Sequence, residues 1–268
     1  MATKPRNSLR VLLILGLVAI AAIGIWYATA DRSVRPDLTV TDAQATPVMG
    51  KDGTIDISLK IANAGGPVVL ASASSPDATT AEFTGTEGSG TIAVPGGGSF
   101  GLSSDGVSLR LSGITGDLSE GRLIAVTLKT RSGYELATKA RTLATKPMDH
   151  SMHGMDHSAT MDVDASVAPS IALSATKKPD TGGWTIALDT KNFRFAKDLV
   201  DKDHVAGAGH AHIYLNGVKL SRVYGPTYEI GPLPKGDYLV RVTLNTNKHM
   251  AYAVDGKKVT ATTTLKVD

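Results

Sequence analysis

The chain has 268 residues, a formal net charge of +3, no cysteine and 5% aromatic residues. The length accommodates two ordinary domains behind an apolar leader, while the missing thiols exclude disulfides, thiolate metal sites, a catalytic cysteine and a Cys-linked lipid anchor. The positive charge is small and dispersed, with no basic stripe interleaved with aromatics, so nucleic acid is not an expected partner.

Lys4, Arg6 and Arg10 precede an uncharged run from Val11 to Ala30. A basic flank before about 20 apolar residues directs export and leaves the basic end in the cytoplasm. Residues 1–10 therefore read as a cytoplasmic tail and 11–30 as a single-pass anchor, a transmembrane helix in the plasma (inner) membrane. Ala28-Thr29-Ala30 also forms an A-x-A site, so a cleaved signal peptide is the alternative. Under either reading the bulk of the chain is extracytoplasmic, that is, periplasmic.

Residues 38–143 read as a first all-β unit. Thr54–Asn63 alternates strictly, with Ile55, Ile57, Leu59 and Ile61 on one face and Asp56, Ser58 and Lys60 on the other, the pattern of a half-buried antiparallel strand. Pro67–Ser74, Gly90–Val94, Ser108–Leu111, Leu123–Lys129 and Tyr134–Arg141 follow as short strands between Gly-, Asn- and Ser-rich turns. Strands at this spacing make a sandwich or a Greek-key barrel. The segments ISLKIANAGGPVVLASASSPDA (55–78), TIAVPGGGSFGL (91–102) and LRLSGITGDLSEGRLIAVTL (109–128) resemble, in order, the periplasmic copper chaperone family known as PCu(A)C. That resemblance implies a cupredoxin-like β-barrel. It does not carry over the family's ligands. Ala81-Glu82-Phe83 stands where the family has a histidine, and Ser108-Leu109-Arg110 stands where it has His-x-Met.

Residues 144–169 read as a linker, and inside it lies MDHSMHGMDHSATM (148–161). It holds four of the seven methionines (Met148, Met152, Met155, Met161) and three of the seven histidines (His150, His153, His157). Thioether sulfur is a soft ligand suited to Cu(I), and imidazole takes copper in either oxidation state as well as Zn and Ni. A His-rich tract with no core of its own is a metal-binding composition. Met148, Met152 and Met155 also fit one stripe of a helix, but Ser151, Gly154 and Ser158 are poor helix formers. A solvated spacer is the plainer alternative. The tract resembles the Met/His-rich segments of bacterial extracytoplasmic copper-resistance proteins, a likeness of about a dozen residues that implies copper but no fold.

Residues 170–268 read as a second β unit, an Ig-like sandwich. Its expected strands are Ser170–Thr176, Trp184–Thr190, Ala211–Leu215, Val218–Tyr224, Tyr238–Leu244 and Val259–Val267, with Asn216-Gly217 as a hairpin turn. Gly209-His210-Ala211-His212 enters one strand, and residues i and i+2 of a strand share a face, so His210 and His212 present their rings side by side. His249 or Met250, leaving another strand, would supply a third ligand, and His204 is near enough in sequence to join. The plain alternative is a set of polar histidines at a sheet end. His-x-His, Pro234-Lys235-Gly236 and the later His249 together resemble a largely uncharacterised family of small exported bacterial β domains.

The expectation is an all-β, non-catalytic, membrane-anchored copper-binding protein for chaperoning, sequestration or resistance. Its partners are the copper ion, as Cu(I) or Cu(II), and a copper-accepting or copper-exporting envelope protein. The expected ligands are Met148, His150, Met152, His153, Met155, His157, Met161, His210, His212 and His249. Two rival readings stay open. One is an envelope interaction or assembly module with an incidental tract. The other is a metalloenzyme using the three later histidines with an acid such as Glu229; the absence of H-E-x-x-H and of a nucleophile elbow speaks against it.

Overall fold

Alternation builds the first strands. Ile55, Ile57, Leu59 and Ile61 are all buried, whereas Lys60 on the other face is exposed. The computed structural model describes residues 36–87, 90–144 and 159–268, and these form one compact unit. The apolar run 11–30 and the tract positions Met148, His150, Met152, His153, Met155 and His157 lie outside the described residues. Among the described residues 57% are in strands, and no helix is long and apolar enough to cross a membrane.

The N-terminal half contains β1 (Leu38–Pro47), β2 (Ile55–Asn63), β3 (Val68–Ser74), β4 (Thr80–Thr84), β5 (Ile92–Val94), β6 (Gly98–Leu102), β7 (Ser108–Ser112), β8 (Leu123–Thr130) and β9 (Glu135–Thr142). Strand β1 lies antiparallel to β2 and parallel to β9; β2 pairs with β6 and β7, β7 with β4, and β8 joins β9 to β3 and so to β5. Strands β1, β4 and β6 carry no clean alternation of apolar residues, and the sequence pattern passed over them for that reason.

The C-terminal half contains β10 (Thr160–Asp162), β11 (Ser170–Lys177), β12 (Trp184–Lys191), β13 (Arg194–Phe195), β14 (Ala208–Leu215), β15 (Val218–Val223), β16 (Thr227–Ile230), β17 (Gly236–Thr246), β18 (Ala251–Val254), β19 (Lys257–Lys258) and β20 (Thr260–Val267). Strand β14 runs between β15 and β17, and β17 continues to β20. A separate three-stranded sheet, β11-β12-β16, contributes Ile186 and Leu188 to the same buried cluster as Ile213, Val240 and Val242. The expected hairpin is present: Asn216 and Gly217 both have positive φ, 48° and 86°, as a type I′ turn requires. Part of the expected linker is structured, since β10 runs parallel to β18 with Met161 opposite Tyr252.

The two halves are joined by backbone. Lys219 of β15 pairs with Gly101 of β6, Gly96 N donates to Pro232 O at 2.9 Å, and Glu87 N donates to Asn216 O at 3.1 Å. Close approach at Gly231 allows this: a Cβ there would sit 1.8 Å from Gly96 O.

Candidate metal centre

Strand β14 reads AGHAHIYL, and all eight of its residues are buried. Ala211, Ile213 and Leu215 face the apolar core, which leaves His210, His212 and Tyr214 in a row on the opposite face. Across the ladder these three meet Asn245, Thr243 and Arg241 of β17, so this face of the sheet is polar yet enclosed. Arg241 covers the Tyr214 ring with its guanidinium carbon 4.0 Å from the centroid. The strands approach so closely that a Cβ on Gly209 would lie 1.9 Å from Asn245 O. Only glycine fits there.

His249 comes from the turn between β17 and β18. Its φ of 66° is left-handed, a conformation that costs a non-glycine residue about 1–3 kcal/mol and persists only where the surroundings enforce it. They do so here: His249 N donates to Thr246 O at 3.0 Å, Thr246 N to Met250 O at 2.8 Å, and Asn245 Nδ2 to His249 O at 2.9 Å. The turn folds the imidazole back over the sheet toward His210.

The three rings converge. His210 Nε2 is 3.0 Å from His212 Nε2 and 3.1 Å from His249 Nδ1, and one ligand nitrogen from each ring lies within 4.8 Å of the others. With metal–nitrogen bonds of roughly 2.0–2.1 Å, the 3.0 and 3.1 Å separations each subtend about 95–100° at a shared ion. That is close to the right angle of a tetragonal Cu(II) site.

Proton accounting shows what the cluster offers a cation. Asp201 Oδ1 lies 2.8 Å from His249 Nε2, and a carboxylate only accepts, so Nε2 carries the proton and Nδ1 turns a lone pair inward. His212 Nδ1 faces Tyr214 Oη at 3.3 Å and the Asp105 carboxylate at 3.6 Å, while its Nε2 faces the donor-only Lys219 ammonium at 3.5 Å. The carboxylate and the ammonium favour the proton on Nδ1 and a lone pair on Nε2. One proton on His210 Nε2 can satisfy only one of the two lone pairs it meets. Moving that proton to His210 Nδ1 leaves a buried donor with no partner among the described residues. An outward N–H held by a carboxylate, as at His249, with the lone pair turned inward is the arrangement found around metal-ligating histidines.

The rings stay neutral, which is the ligating form. Burial pushes His210 down from 6.5 to about 3, and neighbouring His249, Arg222 and Lys219 add to the effect. His212 is lowered by burial first and by Lys219 next. Burial also lowers His249, although its hydrogen bond to Asp201 opposes the shift.

Of the sequence candidates, the structure brings together His210, His212 and His249. Met161 sits half-buried on β10, opposite Tyr252 of β18. His204 is outside the cluster, with its ring 6.0 Å from that of Tyr252. Glu229 lies on the exposed surface of β16, accepting from Lys178 Nζ at 2.9 Å and Thr185 Oγ1 at 2.8 Å, and is not one of the convergent residues. In the N-terminal half, the position resembling a ligand site holds Arg110 clamped to Asp56 by two 2.8 Å bonds. Sequence reasoning missed Asp105, Asp201, Tyr214 and Lys219. Asp105 lies 114 positions before Lys219 and carried no signal, whereas Tyr214 was legible as the next same-face residue after His212.

No family model matches the chain, and no curated protein does. Among solved structures it is similar to the copper-bound PCuAC domain from PmoF2, with 16% identity, 40% of this chain and 93% of that one covered, and a TM-score of 0.37. The apo PCuAC domain from PmoF1 gives 19%, 40%, 94% and 0.37. The solution structure of CuI-DR1885 from Deinococcus radiodurans gives 22%, 44%, 87% and 0.33. These likenesses extend over less than half of the chain. The chemistry of the three histidines rests on their own geometry.

Proposed function

We propose that this protein is an extracytoplasmic, membrane-anchored copper-binding protein. It captures the ion on the Met148–Met161 tract and holds it at His210, His212 and His249, for sequestration or for delivery to a copper-accepting or copper-exporting envelope protein. Copper is cargo in this reading, and no catalysis is involved. The observation that carries it is the convergence of three neutral imidazoles, with the outward nitrogen of His249 on Asp201 and that of His212 facing Tyr214 and Asp105. The thioethers of the tract favour copper over zinc, since an all-imidazole site accepts either.

The chain's path supports a shared task. Ala251 N donates to Ala159 O at 3.0 Å, so the C-terminal end of the tract is fixed beside a residue two positions from His249. Such a tether raises the local concentration of tract ligands into roughly the millimolar range. Titration of the full-length protein with Cu(I) and with Cu(II), each against a competing chelator, tests the reading. His210→Gln with His212→Gln should abolish one tight site while leaving the β-sheet circular dichroism unchanged. Met148, Met152, Met155 and Met161 replaced together by Leu should selectively weaken Cu(I). Copper binding no tighter than that of a generic surface-histidine peptide sinks the proposal.

A further inference from the structure

A lysine stands where a metal cation would be expected to approach. Lys219 Nζ is 3.5 Å from His212 Nε2, one of the three inward nitrogens, and it is ion-paired to the Asp105 carboxylate. Both partners are enclosed, with side chains 14% and 5% exposed. Asp105 belongs to the turn after β6 in the N-terminal half, and it reaches the centre because Gly106 packs against the second half, where a Cβ would meet Gly217 O at 2.8 Å and Lys219 N at 3.2 Å. A bulge in β15 aims the lysine. Tyr214 pairs with Lys219 and His212 with Arg222, a spacing of three that a regular strand would place on opposite faces. The irregularity puts both cations on the histidine side. Lys219 also lines a cleft of about 730 Å³ between the halves, together with Lys60, Phe100, Leu102, Arg222 and Tyr224. The Tyr224 ring lies 5.5 Å from that of His210, so one side chain of the cleft wall borders the triad.

We infer that the Lys219 ammonium is a built-in occupant of the cation site, and that metal enters from the cleft by displacing it. The inference rests on the triad being a metal centre. In the metal-free protein the charges balance within the site: Asp105 is negative, Lys219 positive, and the three imidazoles neutral. Adding a metal cation puts like charges within a few ångströms in an enclosed setting, and their repulsion is strong enough to expel the mobile side chain. Lysine suits the task because its charge is a compact point on a flexible stem. On loading, the ammonium swings into the cleft and Asp105 stays behind as the counter-charge to the metal. No bond is made or broken apart from the exchange of one cation for another.

The test uses the full-length chain with the tract silenced (Met148, Met152, Met155 and Met161 to Leu; His150, His153 and His157 to Gln) and Cu(II) alone as the probe. Electron paramagnetic resonance of the bound ion should show nitrogen ligands that His210→Gln removes. Lys219→Met should tighten Cu(II) about tenfold or more, because the resident competitor is gone. In the unsubstituted lysine background, modification of Lys219 by an amine-reactive reagent should rise on Cu(II) loading. The same gain in affinity should follow when Lys219→Met is introduced into Asp105→Asn, where no buried carboxylate is left unpaired, so the outcome does not depend on one variant folding. Cu(II) that binds through the histidines with unchanged or weaker affinity in both lysine variants, and with Lys219 no more reactive, overturns the inference and leaves the metal centre standing. Cu(II) binding that ignores His210→Gln overturns both.

Discussion

Lowering the pH should destabilise this protein through its buried histidine cluster. His210 is fully buried and neutral, its pKa taken from 6.5 to about 3 chiefly by burial. The unfolded chain therefore binds a proton below about 6.5 that the folded chain refuses until about 3. In that window the unfolded state holds more protons, so stability rises with pH and is lost as pH falls. Above 6.5 the contribution is complete. Across the whole window a shift of this size corresponds to roughly 5 kcal/mol, and between pH 6.5 and 4.5 to about 3 kcal/mol. His212 and His249 are lowered in the same direction, so the loss is shared among three rings. The assay is urea denaturation of the metal-free protein at pH 7, 5.5 and 4.5, with His210→Gln measured in parallel. Carboxylates elsewhere titrate in both proteins, and the difference between the two profiles isolates the histidine. The wild type should lose about 2–3 kcal/mol more than the variant on going from pH 7 to 4.5. Parallel profiles would refute the reasoning, since they would mean that the ring is hydrated or already charged.

Two further outcomes follow from the same geometry, and a third from the apolar leader. Asp201→Asn should weaken copper about 10- to 100-fold by releasing the His249 N–H, with little change in the urea midpoint, because the Asp201 side chain is 63% exposed; a chelator competition checks this. Gly209→Ala should destabilise the fold by about 3 kcal/mol or more, since its Cβ would fall 1.9 Å from Asn245 O and β14 would have to part from β17; thermal melting reads it, and an unchanged midpoint would mean that the strands separate freely. The full-length protein should remain with membranes after alkaline extraction, whereas an N-terminus beginning at Asp31 would show that the leader is cleaved.

Periodicity made a large part of this protein legible in advance. The two-residue alternation at Ile55–Ile61 and at Trp184–Leu188 fixed which face of each strand is buried, because side-chain direction in an extended chain is a local property. The same rule set His210 beside His212, and Asn216-Gly217 specified its hairpin through backbone sterics alone. Strands without such a pattern, among them β1, β4 and β6, are made by pairing with neighbours distant in the chain, and their own residues do not announce it. Which third residue would complete the histidine pair was undetermined between His249 and Met250, and the left-handed turn at His249 settled it by aiming that ring at His210. Asp105 and Lys219 became part of the centre only when the N-terminal half packed against β15, with Gly106 allowing the close approach and a bulge redirecting the lysine. The residue types of the cluster were thus local and written in the sequence. Their neutrality, their proton positions and the cation beside them depend on burial and long-range charge, which exist only once the chain has folded.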